Sequence, residues 1–462
     1  MSISQRLDRL PATPLLRKVI FIAGLGLMFD AMDQGMVTGV IASIGLDWDL
    51  TTGQRGFLAS SGVLGMMFGA LVSGLAADRW GRRTIVLVTL LVFSLGSFLC
   101  ALAPGYEWLL VFRFLTGLGL GGELPVVTTM VSEFSSLKNR GRNVVIVESF
   151  WAWGWILAAL VAYLAIPLYG WRAAFFIGAV PALFAAGLRF FIPESPRYLE
   201  QRGKIAEADG IVRRMERSVW IKPPADITHQ GAQGNHLQDF IGSPEHEAQA
   251  PAKVSLLKAV ASLWSREYLR STVVLWVLWF GVNLGYYGFV IWTPSFLVEQ
   301  GFDLVRSFEY TLYMCFAQIP GYLTAAILIE VIGRKRVLTI FLVGTAGAAW
   351  FFGHATSLPL VILSGCLLYF FALGTWGCIY SYTPELYPTK IRTSGAGAAS
   401  AFGRVGAFIA PMIVPVVYAF VGPEYGFELV FVLLTVVFIV VALVVGFLGI
   451  ETKGKEIPEF EQ

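Results

Sequence analysis

Asp78-Arg79-Trp80-Gly81-Arg82-Arg83 and Glu330-Val331-Ile332-Gly333-Arg334-Lys335 write one short turn twice, about half a chain apart. Each copy joins two long apolar runs through an acid, a helix-breaking glycine and a pair of cations. Two unrelated basic loops would share the charge but not the acid-x-x-Gly-basic-basic spacing. A turn repeated inside apolar sequence predicts a membrane protein built from two parallel halves, the plan of many secondary transporters.

The composition agrees. Hydrophobic residues make up 56% of the chain and charged residues 14%, whereas a soluble domain carries about 25% charged residues. Mean hydropathy is +0.68, which describes a polytopic membrane protein rather than a soluble core. The net charge is only +3, and its distribution informs more. About 29 of the 34 Lys and Arg fall on one side of the expected bilayer. Arg55, Arg172 and Arg306 fall on the other. The basic side is expected to be cytoplasmic and to hold both termini, as in a multi-pass protein of the inner (plasma) membrane. Residues 1–17 are polar and basic, and the apolar run after them is too long for a signal core, so no cleaved leader is expected. Cys100, Cys315, Cys366 and Cys378 lie in apolar runs without metal-ligand spacing and read as packing residues.

Twelve apolar stretches reach spanning length: 18–45, 54–77, 83–103, 107–132, 143–166, 172–192, 271–298, 306–330, 336–355, 358–383, 394–420 and 426–449. They predict an all-α membrane protein of twelve transmembrane helices in two six-helix halves, residues 1–193 and 271–462. A cytoplasmic linker, 194–270, joins them. Its early part, Arg197 to Arg217, has helical charge patterning, while 222–252 reads as a flexible linker. His229, His236 and His246 fall there and read as a solvated loop, so no metal and no cofactor is expected. In the fourth segment Gly117, Gly119, Gly121 and Gly122 strip side chains from one stretch, which lets a neighbouring helix approach closely.

Charge inside a bilayer is costly, about 2.5–3.5 kcal/mol per residue on insertion scales. Asp30, Asp33, Arg113 and Arg404 stand out for that reason. Asp30 and Asp33 share one face of the first segment. Asp33 lies ~22 Å from the start of that helix, and Arg113 lies ~9 Å from the external end of an antiparallel one. In a core of about 30 Å the two meet at similar depth. Their pairing reads either as a permanent ion pair or as a proton-coupling site. In the second case Asp33 is held by Arg113 and Asp30 carries the proton, or the reverse, since coupled acids titrate together. Arg404 lies ~15–16 Å into the eleventh segment, near the midplane. That segment has no acid to neutralise it, which suits a site for an organic anion.

Aromatic residues complete a candidate pocket. Glu148, Trp151 and Trp155 share one stripe of the fifth segment. Asn283, Tyr286 and Tyr287 cluster on the seventh, and Trp376 and Tyr380 on the tenth. A flat ring can stack among them. Glu123 and Glu148 lie roughly 9–15 Å from the cytoplasmic side, in reach of an inner gate or a proton exit.

These residues resemble the major facilitator superfamily over nearly the whole chain. Gly74 to Arg83 is similar to its signature loop between helices 2 and 3. Glu133 with Arg140-Gly141-Arg142, then Pro193-Glu194-Ser195-Pro196-Arg197, Pro384-Glu385-Leu386-Tyr387-Pro388 and Glu451-Thr452-Lys453-Gly454, resemble the cytoplasmic motifs of its sugar-porter and organic-ion branches. The resemblance implies a gating latch of Gly74, Asp78, Gly81, Arg82, Arg83, Glu133, Arg140, Glu330, Arg334, Glu385 and Arg392, with bridges across the seam between halves. Phe29-Asp30-Ala31-Met32-Asp33-Gln34 is similar to the Asp-Gly-x-Asp motif of aromatic-acid/proton symporters, with Ala31 in place of glycine. Gly403-Arg404-Val405-Gly406 resembles an anion-holding stretch of organic-anion transporters. Gly26–Met36, Phe114–Val126 and Val147–Trp155 resemble bacterial niacin permeases most closely. This implies import of nicotinate or a similar small aromatic carboxylate, coupled to protons, by a monomer in the lipid bilayer. A sugar or polyol symporter is disfavoured by Arg404 and by the seventh segment, Trp279 to Tyr287, which lacks the Gln-rich sugar pattern. A drug/proton antiporter is disfavoured by the lack of an acid in the second half's cavity segments. A receptor would need a larger soluble domain. An enzyme would need a nucleophile–base pair, and none is found.

Overall fold

The computed structural model describes residues 3–136, 139–189, 192–219, 263–387 and 391–453. Every regular element among them is helical. Among the described residues ten helical segments are long and apolar enough to cross a membrane. Pro14–Asp47 and Trp171–Arg189 take the first and sixth places in chain order, so the helices follow the twelve expected segments. The seventh, Leu269–Val290, continues through Thr293–Glu299. The eleventh and twelfth run together as Arg392–Leu443, broken only at Gly422.

Local chemistry sets the helix ends. Thr13 caps the first segment by accepting from the Leu16 N–H at 3.1 Å, with Pro14 in the opening turn. Thr51 and Gln54 form a capping box at the second, Thr52–Trp80. At the repeated turn Gly81 has φ 94° and Gly333 has φ 102°, a region closed to most side chains. The Glu194 carboxylate accepts from the Arg83 N–H at 3.2 Å, and Glu451 accepts from the Arg334 N–H at 2.9 Å. A Cβ on either glycine would collide with that carboxylate.

The latch residues behave differently from the sequence expectation. Arg82 donates to Ala77 O at 3.2 Å and pairs with Glu133 at 3.2 Å. Arg334 donates to Ile329 O at 3.2 Å and pairs with Glu385 at 3.3 Å and Glu330 at 3.0 Å. These bridges run within one half and not across the seam. Each arginine follows the turn glycine directly, so it folds back over its own half. The expected gating contacts of Gly74, Asp78 and Arg392, the stretch 222–252 and the three linker histidines lie outside the described residues and side chains.

The second and fourth segments touch backbone to backbone. Gly65 faces Phe114 O, Gly69 faces Leu118 O, Gly117 faces Gly62 O and Gly121 faces Met66 O, each with no room for a methyl group. Pro196–Gln201 and Ile205–Ser218 lie on the basic face, where Arg202 donates to Arg79 O at 2.9 Å. Arg6, from the short helix Ile3–Arg9, donates to Glu216 at 2.8 and 2.7 Å and pairs with Asp209. Glu216, and then Asp209, hold the Arg6 guanidinium above its ordinary range although burial opposes this.

Candidate functional site

A cavity of about 80 Å³ lies near mid-length between the two halves. The first half contributes Met66, Glu148 and Trp151, and the second contributes Asn283, Tyr286, Tyr287, Tyr322, Trp376, Tyr380 and Arg404. The rings lock one another. Trp376 stacks on Tyr380 with centroids 5.8 Å apart, and meets Tyr286 edge to face at 6.1 Å. Trp155 stands edge-on to Tyr286 across the seam at 6.0 Å. Such pairs hold ring orientation as well as burying area. Asn283 donates to Trp279 O at 2.7 Å, which leaves its carbonyl oxygen for the cavity.

Two charged side chains face this space. Arg404 is half-buried, and among the described residues no hydrogen bond or ion pair reaches its guanidinium. Tyr287 and Tyr380 are the polar groups in its electrostatic reach. Glu148 is 9% exposed and has no hydrogen-bond partner among the described residues. The two do not pair with each other. A second cavity of about 410 Å³ shares Glu148, Tyr380, Ser400 and Arg404, and extends toward the basic face past Ala70, Leu71, Thr128 and Gly397.

The opposite end is shut. Ser60 donates to Phe408 O at 2.9 Å across the seam. Trp292 donates to Pro411 O at 3.2 Å within the second half, and the Arg55 guanidinium of the first half lies 5.6 Å from the Trp292 ring across the seam. Within the second half Tyr418 donates to Glu299 at 2.6 Å, and the Arg55 guanidinium of the first half lies in electrostatic reach of both. This conformation therefore connects the cavity to the basic face.

Beside the cavity, Arg113 donates to Asp33 at 2.7 Å, and both are buried. Ser97 adds a hydrogen bond to Asp33 at 3.2 Å. Arg113 lines a small void with Gln34, Trp155 and Tyr287. Tyr287 donates to Gln34 at 3.3 Å across the seam, so the ion pair and the aromatic cavity share a wall. Asp30 and Glu123 are buried but line none of the cavities described. Sequence reasoning missed Gln34, Tyr322 and Ser400. Only Gln34 carried a signal, as an amide beside Asp33 in an apolar helix.

The comparisons with known proteins agree with this architecture. Residues 26–462 match the family described as Sugar (and other) transporter. The chain is 44% identical over 414 residues to Niacin transporter NiaP of Acinetobacter baylyi, covering 90% of each chain. It is 42% identical over 403 residues to the Putative niacin/nicotinamide transporter NiaP of Bacillus subtilis, covering 87% of this chain and 89% of that one. Among solved structures it matches the partially occluded inward open conformation of the xylose transporter XylE from E. coli. The TM-score is 0.72 at 19% identity, over 96% of this chain and 99% of that one, a likeness of fold.

Proposed function

The chain belongs to the sugar (and other) transporter family of the major facilitator superfamily, and on that premise we propose that it imports a small aromatic carboxylate, nicotinate first, in symport with protons. The observation that carries this reading is Arg404. It is a cation on an aromatic cavity, and no ion pair or hydrogen bond among the described residues reaches it. A guanidinium takes a carboxylate in two parallel hydrogen bonds, and a planar ring beside it stacks on Trp376 and Tyr380. One relative is named for niacin and the other for niacin or nicotinamide, which supports a pyridine-ring substrate.

We assign proton coupling to Asp30 and Asp33 with Arg113. Protonating a carboxylate there unbalances the buried pair, and Tyr287 and Gln34 connect that change to the cavity wall. The protein works as a monomer in the inner membrane, with both termini in the cytoplasm, and alternates between faces.

Direct binding of nicotinate and nicotinamide to wild type, Arg404→Ala and Arg404→Lys tests the site. Nicotinate binds wild type better than the amide. Arg404→Ala removes that preference and weakens nicotinate by roughly one to two orders of magnitude, because a hydrogen bond to a charged group contributes about 1.5–3 kcal/mol. Arg404→Lys recovers part of it, keeping the charge and losing the planar fork. Equal affinity of wild type for acid and amide overturns the assignment.

A further inference from the structure

We propose that Glu148 reads the ring of the substrate: it shares a hydrogen bond with a basic ring nitrogen while Arg404 holds the carboxylate, so the cavity selects pyridine carboxylates over carbocyclic ones. This assignment rests on the aromatic-carboxylate function proposed above.

Three observations lead to it. Glu148 is nine-tenths buried, opens on the cavity, and has no hydrogen-bond partner among the described residues. A buried carboxyl group in that condition is costly unless something completes it. Arg404 faces the same cavity, and the two remain apart although each would neutralise the other. Their positions explain the separation. The fifth helix begins at Arg140 and the eleventh at Arg392, its counterpart in the repeat. Glu148 lies about two turns into the fifth helix and Arg404 about three turns into the eleventh, a difference in depth of about 6 Å. That offset suits a six-membered ring with its substituent.

Tyr380 lies in electrostatic reach of both Glu148 and Arg404, and it carries Trp376 stacked on its ring. A flat ligand on this platform has one edge toward the acid and the other toward the guanidinium. The other titratable groups facing Glu148 are Tyr322 and Tyr380. A ligand that satisfies both ends has an anion at one edge and a nitrogen base at the other. One proton then lies between the carboxyl oxygen and the ring nitrogen, whichever of the two it belongs to. Benzoate offers a C–H at that edge and leaves Glu148 sealed without a partner. Nicotinamide keeps the nitrogen and loses the charge that meets Arg404. The two discriminations are therefore separable.

The test is competition binding of nicotinate, benzoate and nicotinamide to purified wild type, Glu148→Ala and Glu148→Leu. Wild type favours nicotinate over benzoate by about 10- to 100-fold, the range set by leaving a buried polar group unmatched. Both variants bring the two acids to similar affinity, and both keep the preference of acid over amide that Arg404 supplies. That retained preference also shows that a variant is folded. The leucine variant, which fills the space without a polar atom, decides the matter if the alanine variant does not bind. Wild type that binds benzoate as tightly as nicotinate overturns the proposal, as does a variant that keeps the full discrimination. Loss of acid-over-amide preference in wild type faults the Arg404 site instead and leaves the nicotinate–benzoate comparison to judge Glu148.

Discussion

Gly81 and Gly333 hold nearly the same backbone pose, and a carboxylate from the end of its own half closes each turn. The cavity walls keep no such likeness. The offset that carries Gly81 onto Gly333 also carries Arg140 onto Arg392, Glu148 onto Ser400 and Ala152 onto Arg404. It carries Arg113, the cation of the buried pair, onto Gly365. A turn that only joins two helices at a membrane surface has one good solution, and both halves use it. A cavity for a ligand with unlike ends needs unlike walls, and there the two copies part.

The sharpest way to break this contrast is at Asp33, which has its partner in the first half alone. Asp33→Asn abolishes uphill accumulation in proteoliposomes while leaving counterflow exchange. It also strands Arg113, at a cost to stability of about 3–5 kcal/mol, the loss typical of removing one member of a buried pair. Adding Arg113→Gln restores most of the stability and none of the accumulation. If Asp33→Asn and Asp30→Asn both accumulate substrate normally, the first half holds no coupling site there.

The turns are expected to answer alike. Gly81→Ala and Gly333→Ala each place a side chain at positive φ against a carboxylate, and each costs about 1–3 kcal/mol. Thermal unfolding of the two variants in detergent measures this. A loss in one half only would show that the frame is less symmetric than its geometry.

The smallest effect is one of pH. Burial raises the Glu451 carboxyl, but backbone N–H groups, Lys453 and Arg334 first, outweigh it and hold the group below its ordinary range. A depressed folded-state value gives stability that is present above the unfolded carboxylate pKa and is lost as pH falls through the folded one. The melting midpoint of wild type therefore loses this increment below about pH 4. Glu451→Gln has a lower midpoint at neutral pH and a shallower acid limb. An acid limb unchanged by the substitution would remove Glu451 from the closure of its turn.

The frame was legible because its signals are local. Apolar run length, turn spacing and the side on which Lys and Arg fall all survive in a single sequence. The meeting of Asp33 and Arg113 was legible too, since depth follows from counting residues along two helices. Rotation about the helix axis was not. Helices such as Leu358–Tyr382 are apolar all round, so no polar stripe shows which face is turned inward. That is why Tyr322 and Ser400 went unseen, and why Glu123, expected near an inner gate, lines none of the cavities described. The direction of the Arg82 and Arg334 bridges was hidden for another reason. It depends on how the chain leaves a glycine at positive φ, which residue spacing does not record.

The backbone contact between the second and fourth segments has a mechanical consequence. Side chains between helices act as soft springs, because each can change rotamer under load. Where Gly65, Gly69, Gly117 and Gly121 bring peptide groups together, there is no such layer to yield. The pair behaves as a stiff lever. Thr52–Trp80 has 29 residues and is about 44 Å long, so a tilt of about 10° around its middle moves each end by about 4 Å. Displacement begun at the turn of Gly81 thus arrives at the Ser60 seal, which lies about 9 Å beyond the middle, as a movement of about 1.6 Å with the opposite sign. One rigid beam can then open one face as it shuts the other.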